Sequence, residues 1–330
     1  MAGVEQVQVG KDEDGMRLDR WFKAHYPGLG FGHLQKLLRS GQVRVDGGRA
    51  KTDTRVAPGQ TIRVPPIGGV DRKAEGAPLT GHSIRNQGDG DVLAKMLLYE
   101  DPKVFVFNKP SGLAVQGGSG VTRHVDDMLE AWRSPKGEKP RLVHRLDRDT
   151  SGVLVVARTR LAAMKLAEAF RARETNKTYW ALVKGVPRKR EDKISTWLVK
   201  EQTPDGDRMR IAKHGEDGAD HAVSFYRVIE QAGQTLAWLE MEPYTGRTHQ
   251  LRVHAAHIGH PIIGDPKYFE ADTNWDFPGG MQNRLHLHAR RIIIPHPDKG
   301  TIDVTAPLPP HMRQSWNLLG FDEASAEPEE

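Results

Sequence analysis

The sequence predicts an α+β fold: a mainly antiparallel mixed sheet flanked by helices and loops, preceded by a small α/β module. Three observations carry this. From Leu97 onward strand-like runs recur, namely VFVFN, VLVVA, YWALV, HAVSFYRVI, TLAWLEMEP, RRIIIP and TIDVT. Few helical patterns lie between them, notably LAAMKLAEAFRAR and HQLRVHAAHIGH. Ahead of them, two short amphipathic helices and a hairpin stand apart behind a glycine-rich stretch. Alternating strands broken by a few helices suit an antiparallel sheet.

In chain order, residues 1–15 read as an N-terminal arm and 16–66 as the small module. In RLDRWFKAHY, Leu18, Trp21, Phe22 and Tyr26 share a helical face, which Pro27, Gly28 and Gly30 interrupt. FGHLQKLLRSG repeats the pattern with Leu34, Leu37 and Leu38, and Gly41 caps it. VRVDGGRAK reads as a hairpin turning at Asp46-Gly47, with Val43 and Val45 alternating against Arg44. TIRVP is a short strand. Residues 67–91 carry glycine and charge without an apolar period, the composition of a linker. Residues 92–320 make the large domain, and 321–330 an acidic, disordered tail.

Of 330 residues 37% are apolar, enough for a sizeable core. No apolar run approaches about 18 residues, so no transmembrane helix is expected. The N-terminus has no apolar signal core. Cysteine is absent, which excludes disulfides, thiolate metal sites and cysteine nucleophiles. The simplest reading is a cytoplasmic monomer with no membrane or protein partner. Net charge is only +5, but the cations cluster. Arg17, Arg20, Lys36, Arg39 and Arg44 belong to a basic run opposed only by Asp19, Asp46 and Asp53. A second run follows Phe170, with Arg171, Arg173 and Lys177. Such clusters suit a polyanion such as nucleic acid, and equally a solvated basic surface.

Four stretches carry the chemistry. HRLDRDTSG, His144 to Gly152, places charge on a loop that abuts the run VLVVA. A carboxylate there can cap a turn, pair with Arg145 or Arg148, or act as nucleophile or base. Spacing alone favours a structural role, and Asp149 to Gly152 has turn chemistry. In YTGRTHQLRVHAAHIGHPIIGDPKY, Thr248 or Thr245 is placed to cap a helix from about His249 to Ile258, ended by Gly259 and Pro261. Its N-terminus with Arg247 forms a candidate phosphate cradle. His254 and His257 fall on one helical face, but no glutamate sits in a zinc-helix pattern, so no metal is expected. Buried, hydrogen-bonded or RNA-facing histidines fit better. In NKTYWALVKG, Tyr179 and Trp180 alternate faces, which allows one ring for the core and one for a cleft, although the residues alone favour two core aromatics. NKPSGLAVQGG, Asn108 to Gly118, reads as a structured loop and lacks a phosphate-loop pattern.

In order, NKPSGLAV, RLVHRLDRDTSGVLVVA, KTYWALVKG, TGRTHQLRVHAAHIGHPIIGDPKY and LHLHA resemble the RluA/RluC/RluD-type pseudouridine synthases over about residues 97–310. RLDRWFK with LQKLLRSGQVRVDG resembles the small RNA-binding domain named after a ribosomal small-subunit protein. The RLDRWF start and RVPP end are closest to the RluC branch, although the usual Asn-Gly turn is Asp46-Gly47 here.

The resemblance implies a pseudouridine synthase catalytic domain and isomerisation of uridine in RNA, large-subunit ribosomal RNA first, without a cofactor. Transfer RNA as substrate, or a non-catalytic role in ribosome assembly, are the alternatives. It makes Asp147 the catalytic carboxylate and assigns Arg145, with His144 beside it, to base flipping. Tyr179 becomes the platform under the base and Arg252 the counter-charge to Asp147. Arg247 becomes a backbone contact and Leu287 an apolar wall. Arg17, Arg20, Lys36, Arg39 and Arg44 would hold RNA phosphates.

Overall fold

The computed structural model describes residues 4–10, 13–26, 28–67, 83–117, 121, 123–135, 137–203, 206–269 and 278–326. The chain divides into two compact units, Met1–Ser83 and Ile84–Glu330. In the first, β1 (Glu5–Gln8), β2 (Met16–Arg17), α1 (Leu18–His25), α2 (Phe31–Arg39), β3 (Arg44–Val45), β4 (Gly48–Arg49), β5 (Arg55–Val56) and β6 (Thr61–Val64) follow in order. Leu18, Trp21, Phe22, Tyr26, Leu34, Leu37 and Leu38 form one core with Val43, Ile62 and Val64, as their helical spacing predicts. Asp46 (φ 47°) and Gly47 (φ 77°) are both left-handed, the geometry of a tight hairpin whose twist matches its strands. Asp46 tolerates it because its carboxylate accepts Thr61 N–H at 2.7 Å. Pro27 lies outside the described residues.

The arm expected over 1–15 is a correction. Glu5–Gln8 pairs antiparallel with β6 as an edge strand of the order β1-β6-β3-β4. Val7 supplies the alternating apolar position and is buried, and the buried Glu13 accepts the Trp21 indole N–H at 3.0 Å. Four residues with one buried valine leave too short a period to show in the sequence.

The second unit begins with α3 (Ser83–Met96), so a helix occupies the end of the stretch expected as linker. Leu93 and Met96 anchor it in the core, and residues 68–82 lie outside the described residues. Then come β7 (Leu97–Glu100), β8 (Val104–Lys109), α4 (Val125–Met128), β9 (Arg141–Leu142), β10 (Ser151–Ala157), α5 (Arg160–Ala172) and β11 (Asn176–Lys184). They continue with β12 (Glu191–Thr203), β13 (Gly206–Ala212), β14 (Asp220–Ala232), β15 (Leu236–Pro243), α6 (Gln250–His257), β16 (Leu287–Pro295), β17 (Thr301–Thr305) and α7 (Pro310–Leu319). The sheet runs β13-β12-β14-β15-β11-β16-β10-β8-β7, with β17 on β16 and β9 on β10. Among the described strands only β10 and β16 pair parallel, so it is a mixed, mainly antiparallel sheet, as the sequence predicts.

All seven quoted runs are strands. SGVLVVA is buried at every position because β10 lies inside the sheet with both faces covered. The long hairpin β12–β13 went unread. Its polar positions face solvent, and its buried Ile194, Thr196 and Leu198 are spaced among charges. The acidic tail is the last correction. Glu323–Ala326 is a 3₁₀ turn, Phe321 and Ala326 join the core around Trp316, and Glu323 pairs with Arg290 at 2.9 Å. Residues 327–330 lie outside the described residues. Among the described residues no helix is long and apolar enough to cross a membrane.

Three histidines are fully buried here. His254 lies between Thr196 Oγ1 at 2.9 Å and Ser224 Oγ at 3.0 Å. His286 lies between Ser315 Oγ at 2.8 Å and the Arg284 carbonyl at 2.6 Å. His288 lies between Ser151 Oγ at 2.9 Å and the Ala306 carbonyl at 3.2 Å. Burial first of all pushes their pKa values down, to about 4, about 4 and about 3. They are neutral folded and take up protons near 6.5 when unfolded. Below pH 6.5 the unfolded state therefore binds more protons, and stability falls until the folded values are reached. Each contributes a slope of up to about 1.4 kcal/mol per pH unit. Urea titrations should show a clear drop in midpoint from pH 7 to pH 5; a flat profile would show that these rings are not held neutral.

Candidate active site

The loop carrying HRLDRDTSG is pinned on the C-terminal side of Asp147. At its exit Gly152 has φ 112°, and a Cβ there would sit 2.2 Å from the Ala289 carbonyl oxygen. Only glycine lets β10 and β16 approach this closely. Beside it, the buried Lys109 at the end of β8 donates from Nζ to the carbonyls of Leu113 (2.8 Å), Pro110 (3.0 Å) and Arg148 (3.0 Å). Burial pushes the Lys109 pKa down to about 7, opposed by the charges of Asp149 and Asp147. Gly112 N–H adds a bond to the Arg148 carbonyl at 2.9 Å. NKPSG is thus the structured loop that the sequence predicts, and Lys109 ties it to the charged stretch. Gly118, its predicted end, lies outside the described residues.

Directly before these anchors Asp147 is partly buried, its side chain 21% exposed. Arg252 Nη1 stands 3.5 Å from Asp147 Oδ2, and His249 Nε2 3.9 Å from the same oxygen. The Arg252 guanidinium makes its closer, two-pronged contact with the buried Asp265, through Nε and Nη2 at 2.7 Å each. Asp265 also accepts the backbone N–H groups of Lys267 (2.8 Å) and Tyr268 (3.2 Å). Burial opposes the Arg252 charge, but the Asp265 carboxylate outweighs it and the guanidinium pKa is raised. Tyr268 closes the group: its hydroxyl meets His249 Nδ1 at 2.9 Å, and its ring lies 5.2 Å from Arg252 Cζ. Burial lowers the His249 pKa against the pull of Asp147.

Tyr179 and Trp180 lie on opposite faces of β11 and divide between cavity and core, where their residue types alone favoured two core rings. Trp180 packs on Trp238, ring centroids 4.6 Å apart. Tyr179 sits at a register shift between β11 and β16 and lines a cavity of about 650 Å³. Burial first, and the Asp147 charge second, push its phenol above the ordinary tyrosine range. Asp147, Arg145, Arg252, His249 and the buried Leu287 line the same cavity, and Arg145 is exposed.

Three expectations are corrected. His144 lines the cavity but is committed to structure: its Nε2 accepts Val155 N–H at 2.8 Å, and its ring stacks on Phe170 at 4.7 Å. Burial takes its pKa to about 3. Neither Thr245 nor Thr248 caps α6. The helix starts at Gln250 behind His249, whose φ is 51°, and Thr245 Oγ1 is occupied by Val223 N–H at 2.9 Å and Gln250 Oε1 at 2.7 Å. The phosphate cradle is likewise filled from within. Arg247 N–H donates to Gln250 Oε1 at 3.0 Å, and its guanidinium pairs with Asp220 at 3.2 Å. His254 and His257 also separate, the first buried and the second exposed.

In the first unit Arg20, Lys36, Arg39 and Arg44 are exposed, and Arg17 is exposed but held by Asp19 at 2.7 Å. The sequence reading passed over Lys109 and Asp265 as partners. A lysine closing an apolar strand, and an aspartate within IGDPKY, were their only signals.

Residues 103–257 match the model of a family described as RNA pseudouridylate synthase. The chain is 36% identical over 311 residues to Ribosomal large subunit pseudouridine synthase C of Yersinia pestis, covering 94% of each chain. It is 35% identical over 319 residues to the protein of that name from Escherichia coli K12, covering 96% of this chain and 97% of that one. A solved structure, Human RNA Pseudouridylate Synthase Domain Containing 4, superposes with a TM-score of 0.60 at 28% identity, covering 72% of this chain and 97% of that one.

Proposed function

This chain belongs to the RNA pseudouridylate synthase family, and from that premise we propose that it converts uridines of large-subunit ribosomal RNA to pseudouridine with Asp147 as the catalytic carboxylate. It is an isomerase acting on RNA. The ribosomal assignment leans on relatives named for the large subunit that match along nearly the whole chain. We take the enzyme to act as a cytoplasmic monomer. The observation that carries the site is a carboxylate and a tyrosine on one cavity wall, with a guanidinium 3.5 Å from the carboxylate and itself fixed by a second one.

The reaction detaches uracil from ribose at N1, rotates it and rejoins it through C5. It needs no redox partner or group donor. The target must leave its stack to reach the cavity. Arg145, exposed at the rim, takes the place of the flipped base, and Tyr179 with Leu287 receives the ring. Asp147 then attacks C1′ or removes the C2′ proton. Either step discharges the carboxylate. Joining C5 to C1′ releases the carboxylate again, and Tyr179, which lines the cavity beside it, is placed to assist departure of the C5 proton. Arg20, Lys36, Arg39 and Arg44 supply salt-dependent affinity through phosphates, with Arg17.

Tyr179→Phe should keep the platform, so KM stays near wild type while kcat falls by roughly 10²–10⁴-fold for a lost acid–base group. Tyr179→Ala should lose both. A Phe variant with wild-type kcat removes the hydroxyl from the chemistry. The assignment of substrate is tested by mapping pseudouridine in total RNA from cells with and without the gene. Loss of large-subunit marks, restored by wild type and not by Asp147→Ala, is expected. Loss confined to transfer RNA overturns the ribosomal reading, and rescue by Asp147→Ala would favour a non-catalytic assembly factor.

A further inference from the structure

We propose that one wall of the active-site cavity, built from the end of α5, the start of β11 and Tyr244, is a subsite for the nucleotide adjacent to the target uridine, its base on the Tyr244 ring and its phosphodiester between Arg173 and Lys177. This rests on the RNA reading above and assigns residues that the chemistry at Asp147 leaves unused.

Tyr244 lines the cavity and is 51% exposed, so its ring is open to a ligand there. The Arg173 guanidinium stacks on it, Cζ 4.6 Å from the ring centroid. Arg173 ends α5 in the left-handed region, φ 61°, a position where glycine is usual. An arginine kept there by observation, with its head group over a cavity-lining ring, is a backbone outlier of the kind that marks ligand clamps.

Four residues on, Lys177 lines the same wall, and burial lowers its pKa. Among the described residues neither Arg173 nor Lys177 has a carboxylate within ion-pair distance. Between them Thr175 is buried, and its hydroxyl has no hydrogen-bond partner. Arg173 is exposed, but the part-buried Lys177 ammonium and the buried Thr175 hydroxyl are costly beside a cavity without an anion to meet them.

A phosphodiester answers this chemistry, and the flipped uridine brings one on each side. An exposed ring accepts the face of any base, so the subsite grips the neighbour without reading its identity. Arg173, already over the ring, turns its exposed head group to the phosphate when a base takes the ring face.

The test is a cycle between protein and RNA variants, using the full-length enzyme and a synthetic hairpin carrying the mapped uridine. On intact RNA Tyr244→Ala should lower kcat/KM by about tenfold, the scale of one lost base stack, while Tyr244→Phe stays near wild type. With an abasic residue at the stacked neighbour, wild type should fall to the Tyr244→Ala level and the variant should lose nothing further. Lys177→Met should likewise show no added penalty when the adjoining phosphate is a neutral methylphosphonate. Equal Tyr244→Ala penalties on intact RNA and on both abasic versions would overturn the subsite, as would no penalty at all. Binding of the same RNAs is measured in parallel. If wild type binds the hairpin but turns over no uridine, the proposed function fails, while the binding cycle still decides the subsite.

Discussion

Asp147→Asn should abolish turnover while leaving the fold and RNA binding intact. The substitution keeps shape and removes charge and nucleophilicity. If Asp147 serves only as a base the rate should fall by roughly 10²–10⁴-fold, and further if it attacks C1′. The fold survives because the neighbouring buried cation does not depend on this carboxylate: Arg252 keeps its two 2.7 Å contacts with Asp265. Tritium release from C5-labelled uridine in RNA measures the loss, and RNA affinity with a thermal melt controls for the fold. A variant that retained most of its turnover would remove Asp147 from the chemistry, and with it the division of roles across HRLDRDTSG.

Asp265→Ala should have the opposite profile, damaging stability and activity together. Arg252 is 3% exposed and Asp265 2% exposed, so removing the carboxylate strands a guanidinium in the interior. Breaking such a pair from one side costs about 3–5 kcal/mol. The freed Arg252 has Asp147 within 3.5 Å and should close on it, drawing the carboxylate away from the substrate. The backbone N–H groups of Lys267 and Tyr268 also lose their acceptor, which loosens Tyr268 against His249. Urea denaturation and kcat on the same sample read both effects. An unchanged midpoint with unchanged kcat would show that Asp265 neither stabilises nor aims Arg252.

The contrast between these aspartates shows where sequence reasoning reaches its end. The role proposed for Asp147 comes from a resemblance spread over five ordered motifs. Its spacing alone pointed to a turn, and the turn is there too, with Thr150 N–H bonded to the Asp147 carbonyl at 3.2 Å. Asp265 follows Arg252 by thirteen residues, across the end of a helix and a loop. No local period connects such a pair, because the link is made through space. Lys109 and Arg148 are thirty-nine residues apart and were hidden for the same reason.

Local physics decided much of this protein from the sequence. The apolar faces of α1 and α2, the Asp46-Gly47 turn, seven strands and α5 follow from periodicity and turn chemistry, which act over a few residues. The two-residue alternation of a strand puts Tyr179 and Trp180 on opposite faces, but which face meets a cavity was left to the fold. The tertiary structure alone decided which polar groups find partners. It gave His144 to the backbone of β10, filled the cradle at Arg247 with Gln250 and Asp220, and drew Val7 and Phe321 into cores. A buried donor or charge must be satisfied by whatever group the fold brings near, and that neighbour is set by sheet order and loop path rather than by position along the chain.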